Sequence, residues 1–154
     1  MSKIALVTGA GSGIGRACAL GLLKDGWTVA LLGRRVEALQ GTVALAGDAG
    51  KRTLAVPCDV GDADQVSAAF DQVKATFGRL DLLFNNAGMG LPSTTPDLVS
   101  VADWKRVVDA NLNGSFYCIS NAFRLMKAQQ PMGGRIINNG SISAYAPRPG
   151  SIAY

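Results

Sequence analysis

The sequence has 154 residues, 48% hydrophobic and 17% charged, with 19 glycines; it is long enough to bury one real core, and its composition excludes disordered and fibrous classes. A net charge of +4 is scattered over single or paired lysines and arginines, which gives a nucleic-acid interface little support. Three widely spaced cysteines (Cys18, Cys58, Cys118) and no histidine argue against a zinc site and a disulfide framework, so no metal and reduced cytoplasmic thiols are expected. The start "MSKIALVTGAG" has no signal-peptide layout, and no run approaches the ~18 apolar residues of a membrane helix.

In chain order, 3–9 reads as a short buried strand ending in glycine. Ile14, Ala17, Leu20 and Leu22-Leu23 recur at helical spacing and predict a helix over 13–26, closed by Gly26. A second strand is predicted over 27–33. A helix follows over 35–50, weakened by Gly41 and closed by Gly47 or Gly50. The third strand, 52–60, should finish at Pro57. Asp62 is an N-cap for a helix over 62–78 with Val66, Ala69, Phe70, Val73 and Phe77 on one face. The fourth strand spans 80–88. After a polar loop with Pro92 and Pro96, a long helix runs over 101–127, with Trp104, Val108, Asn111, Ser115 and Cys118 on an inward face. A fifth strand covers 134–141. Strand and helix alternate with short connections, which predicts an α/β fold: a doubly wound parallel sheet, Rossmann-like, with about five strands. Ligands of such sheets bind beyond the carboxyl ends of the strands, where the strand order switches.

The first such end is "TGAGSGIG", Thr8 to Gly15. Its glycines permit a tight strand-to-helix turn and bring backbone amides, at the positive end of a helix, toward a pyrophosphate. The spacing is T-G-x-x-x-G-x-G and not G-x-G-x-x-G, because position 14 is Ile14. A P-loop is excluded, since no Lys-Ser or Lys-Thr follows.

This turn resembles the cofactor turn of the short-chain dehydrogenase/reductase family. The same family's landmarks follow in order: "CDV" (58–60), "NNAG" (85–88), "NLNG" (111–114), and Ser141 thirteen residues before Tyr154. The resemblance covers the chain from end to end and implies a dinucleotide-binding domain over 1–154. It implies cofactor contacts from Gly9, Ser12, Gly13, Ile14 and Gly15. Asp59 and Val60 would lie at the adenine, and Asn86, Ala87 and Gly88 along the ribose side. Side-chain amides at Asn85 and Asn86 would also serve to brace neighbouring strands.

At the end of the second strand, where an NAD enzyme usually carries an acidic residue, stand Gly33, Arg34 and Arg35. Guanidinium groups suit a 2′-phosphate, so NADP is expected over NAD, with Arg34 the main contact and Arg35 the second. The alternative is that these arginines open an exposed helix and pair with Glu37.

The implied reaction is hydride transfer between NADP(H) and a small alcohol or carbonyl substrate, which needs a proton donor or acceptor at the oxygen. With no histidine, the resemblance gives that role to Tyr154, with Ser141 hydrogen-bonding the substrate oxygen and Asn111 holding a water in a proton relay. Ser143 competes with Ser141, and only the spacing separates them. The family's lysine, four residues beyond the tyrosine, would fall at position 158. The sequence is therefore expected to be the N-terminal portion of a longer homo-oligomeric enzyme, incomplete at its C-terminal end. By itself it is expected to be inactive and poorly soluble, with strand five an open edge. Two other readings are a non-catalytic nucleotide-binding module and a dehydratase or isomerase on the same scaffold.

Overall fold

A computed structural model describes residues 2–154. Strand β1 (Ile4–Thr8) is buried along its whole length. Its alternate residues serve two different cores: Ile4 and Leu6 join one apolar cluster, Ala5 and Val7 the other. In β2 (Thr28–Gly33) Ala30 and Leu32 face the first cluster and Val29 and Leu31 the second. Neither sheet face meets water at the centre, which is why these strands are continuous apolar runs with no polar alternation. With β3 (Thr53–Pro57), β4 (Leu82–Asn85) and β5 (Arg135–Asn138) they form one parallel sheet in the order β3-β2-β1-β4-β5.

Helices α1 (Gly13–Lys24) and α2 (Val36–Leu45) bring Ala19, Leu23 and Leu39 onto one face of the sheet. The other face is covered by α3 (Ala63–Phe77), through Val66, Ala69, Phe70 and Val73. It is also covered by α5 (Gly114–Ala128), through Cys118, Ala122, Leu125 and Met126. Connections from β1 through β3 run outward on one side, and the chain then returns to place β4 against β1's other edge. The carboxyl ends of β1 and β4 thus form the switch point.

Several expected boundaries match the capping chemistry. Asp62 caps α3, its Oδ1 accepting from the amides of Asp64 and Gln65 at 3.0 and 3.1 Å. Gly78 ends that helix at φ +75. The predicted 35–50 helix stops at Leu45, and Gly47 at φ +56 begins a separate 3₁₀ turn to Arg52. The long helix is not uniform: α4 (Val101–Val108) joins α5 through a π-helical turn at Asp109–Asn113. Uniform 3.6-residue spacing across that turn therefore misplaces the inward face. Val107 and Cys118 are buried, whereas Trp104 is 46% exposed. β5 is shorter than expected and lies at the sheet edge with Ile137 half exposed. Beyond it, Ile142–Ala144 makes one 3₁₀ turn, and the Tyr154 amide closes a further turn onto the Ser151 carbonyl at 3.1 Å.

Candidate active site

The switch point is held together by side chains that bond to backbone. Thr8, fully buried at the end of β1, accepts the amides of Asn86 and Ala87 on its Oγ1, both at 2.8 Å. The Asn86 side-chain amide donates back to the Thr8 carbonyl at 3.0 Å, and its Oδ1 accepts from the Asn139 side chain at 2.9 Å. Asn85 donates to the Ser115 carbonyl at 3.0 Å and to Asn138 Oδ1 at 3.2 Å. β1, β4, β5 and α5 are therefore cross-braced where a ligand of such a sheet binds, with Asn85 and Asn86 in the bracing role expected of them.

The glycine turn is shaped by two demands. A Cβ at Gly15 would run into the Gly9 carbonyl and come within 2.7 Å of the Asn86 side-chain nitrogen, so the start of α1 can pack against the Gly9 turn and Asn86 only if residue 15 is glycine. At Gly13 the constraint is the backbone, φ +52, with nothing within 4 Å of a Cβ position. The start of α1 carries no side-chain cap from Ser12.

Two neighbouring cavities open here, both lined by Gly9, Ser12, Ala87, Gly88 and Met89. The smaller, about 160 Å³, also holds Arg34, Arg35, Asp59 and Val60. Arg34 and Arg35 are exposed, and among the described residues neither forms an ion pair, so Glu37 does not engage them. Asp59 is held by the Gly61 amide, donating to its Oδ1 at 3.0 Å. Behind it, burial, followed by the charges of Asp59 and Asp62, pushes the Cys58 thiol up to about 11.

The larger cleft, about 950 Å³, brings together Asn111, Ser141 and Tyr154 with Gly13, Ile14 and Asn86. Asn111 stands in the π-helical turn, and its side chain clamps Met89: Oδ1 accepts the Met89 amide and Nδ2 donates to the Met89 carbonyl, each at 2.8 Å. Its own carbonyl accepts the Ser115 hydroxyl at 2.7 Å. Ser141 Oγ accepts the Ser143 amide at 3.1 Å, while Ser143 Oγ is buried in the cleft wall with no partner. The Arg148 guanidinium lies over the Tyr154 ring, 5.6 Å from its centroid.

Thr8, Met89 and Arg148 were not among the sequence-derived site residues. Thr8 was visible as the first residue of the T-G-x-x-x-G-x-G turn but was given no bracing role, and Met89 takes part through its backbone. No spacing marks Arg148 within "YAPRPG". Among the described residues there is no cluster of potential metal ligands, and no helix is long and apolar enough to cross a membrane.

The family model described as short chain dehydrogenase matches residues 3–154. The 3beta-hydroxysteroid dehydrogenase of Mediterraneibacter gnavus is 41% identical over 152 residues, covering 99% of this chain and 54% of that protein. A 3-oxoacyl-[acyl-carrier-protein] reductase of Staphylococcus aureus is 37% identical over 155 residues, covering 100% of this chain and 62% of the other. The crystal structure of a 3-ketoacyl-(acyl-carrier-protein) reductase from Brucella melitensis complexed with NADH superposes with a TM-score of 0.91. It is 32% identical and covers 99% of this chain and 62% of that one. The chain thus spans between about half and two thirds of the length of these relatives.

Proposed function

The chain belongs to the short-chain dehydrogenase family, and from that premise we propose that it serves NADP(H)-dependent interconversion of an alcohol and a carbonyl. The observation that carries this reading is that the two cavities share one wall, formed by Gly9, Ser12, Ala87, Gly88 and Met89. A dinucleotide laid along Gly9, Ser12 and Gly88 would have one end beside two unpaired guanidiniums and the other beside Ser141 and Tyr154. Bound there, the cofactor supplies or accepts the hydride.

The residues present fit such a group. The amides at the start of α1, which Ser12 leaves without a side-chain cap, suit its diphosphate. Asp59 and Val60 border the space for the adenine, and Asn86, Ala87 and Gly88 form the wall along the ribose. Arg34, supported by Arg35, would take the 2′-phosphate. At the reacting end the Tyr154 hydroxyl would exchange the proton of the substrate oxygen, and Ser141 would donate a hydrogen bond to it. Because the Asn111 side chain is committed to Met89, any relay water at this position would be held by main-chain groups of the π-helical turn. The same reading includes a cytoplasmic location and assembly with further copies of the chain, for which Leu112, Phe116 and Phe123 present exposed apolar surface.

Nucleotide titration tests the reading directly. A charge-assisted arginine–phosphate contact contributes about 1.5–3 kcal/mol, so the 154-residue chain should bind NADPH ten- to a hundredfold more tightly than NADH. Arg34→Asp should erase or reverse that order. Equal affinities, or an unchanged ratio in the variant, would rule out the NADP assignment. No binding of either nucleotide would remove the oxidoreductase reading itself.

A further inference from the structure

We infer that Arg148 is a substrate-recognising residue and that the substrate carries, besides its reacting alcohol or carbonyl, an anionic group such as a carboxylate. The inference rests on the oxidoreductase reading above and extends it to the class of substrate. Of the described side chains lining the 950 Å³ cleft, Arg148 is the only one charged at neutral pH, and the others are apolar or neutral polar. It forms no ion pair among the described residues. An arginine facing a cleft with no counter-charge leaves its N–H donors free for a ligand.

Its placement is specific. The guanidinium carbon lies 5.6 Å from the Tyr154 ring centroid, and among the described residues no hydrogen bond or ion pair occupies its N–H groups, which suit planar, bidentate recognition of a carboxylate. The backbone that carries it is tied down on both sides. The Arg148 carbonyl accepts the Ser151 hydroxyl at 2.6 Å and the Pro149 carbonyl accepts the Ser93 hydroxyl at 3.1 Å. The Thr94 amide donates to the Gly150 carbonyl at 3.0 Å, and Gly150 stands at φ +70 where a Cβ would collide with Ser93. An anion bound to Arg148 would therefore lie within one side chain's reach of the Tyr154 hydroxyl. The cofactor diphosphate has its own donors at the start of α1, on the Ser12–Ile14 side of the same cleft.

The test pairs a keto acid with its neutral twin: 4-oxopentanoate and methyl 4-oxopentanoate, binding to the chain saturated with NADP⁺, followed by saturation-transfer NMR. The acid should bind about tenfold more tightly than the ester, the scale of one partly solvated charge-assisted contact. Arg148→Gln should bring the acid down to the ester's affinity, and Arg148→Lys should restore part of the difference. Equal binding of acid and ester to the unmodified chain would overturn the inference. So would an Arg148→Gln variant whose defect is a several-fold loss of NADP⁺ affinity, because that would assign the guanidinium to the cofactor's phosphates. Failure to bind any nucleotide would be a different result, striking the oxidoreductase reading first and this inference with it.

Discussion

Thr8→Val is the sharpest test of how the switch point is built. Valine matches threonine in shape and raises strand preference, so packing in the fully buried β1 is preserved. What disappears is one oxygen that accepts two amides, those of Asn86 and Ala87, each at 2.8 Å. An amide left without its acceptor costs about 1–3 kcal/mol. Both amides belong to half-buried residues, which lets water recover part of the loss, so the lower half of the summed range of about 2–6 kcal/mol applies: about 2–4 kcal/mol. Against a total stability of about 5–15 kcal/mol, that is a large fraction. Thr8→Ser is the control, keeping the oxygen and losing one methyl for about 1 kcal/mol. In urea, with a mid-range slope of about 2 kcal/mol/M, the valine midpoint should fall by about 1–2 M and the serine midpoint by about 0.5 M. NADPH affinity should fall with the valine variant as well, because the same two amides position Asn86–Gly88 along the cleft. A valine variant as stable as the serine variant would refute the view that this hydroxyl holds β4's end in place.

Three further outcomes are expected. Burial pushes Cys58 to about 11 and Cys118 to about 12, so near neutral pH only Cys18 should react quickly with a disulfide reagent, and rapid labelling of all three would contradict the buried positions. Partial burial alone would raise the Asp81 carboxyl, but hydrogen bonds from Arg79 and the Ile4 amide, with the Arg79 charge, outweigh it and hold the group below its ordinary value. Its contribution is therefore complete above the unfolded value of about 3.9 and is lost as pH falls below about 4; an Asp81→Asn variant should show a flatter acid limb in thermal melts, and an identical limb would dismiss the pair. Removing the unpartnered Ser143 hydroxyl with Ser143→Ala should leave the chain as stable or up to about 1 kcal/mol more stable, whereas Ser141→Ala, which strands the Ser143 amide, should destabilise it by about 1 kcal/mol; the opposite order of unfolding midpoints would reverse this reading of the two serines.

Much of the fold could be read from the sequence because its signals are local. Continuous apolar runs marked the strands of a sheet covered on both faces. Asp62 and Gly78 bounded α3 through capping chemistry that needs no tertiary information. Pro57 ended β3 because proline has no amide to give the ladder. The failures have a common physical cause, which is that they depend on contacts remote in sequence. The π-helical turn at Asp109–Asn113 has no composition signal. It stands where Asn111 clamps Met89 and where Gly61 packs against Asp109, contacts that exist only after folding. An inward face counted through that turn at constant period therefore gave Trp104 a burial it does not have.

The candidate site divides along the same line. The half proposed for the cofactor is built round a backbone turn, and glycine leaves a clear trace wherever backbone conformation or close approach is the requirement; Gly13 and Gly15 are required for different reasons, and both were visible in the pattern. Its reacting half is made of side chains whose roles depend on what neighbours leave free. Spacing chose Ser141 over Ser143, yet the structure shows one hydroxyl anchoring a turn and the other buried without a partner. A glutamate beside the two arginines looked like an alternative partner, yet Glu37 leaves both unpaired. Arg148 belongs to this second kind. Its meaning comes from its neighbours in the fold, apolar and neutral polar side chains among the described residues lining the cleft and a ring six residues later in the chain. Charge balance within a cavity is a property of the folded surface, so the residue with most to say about the substrate is the one that sequence spacing had least reason to mark.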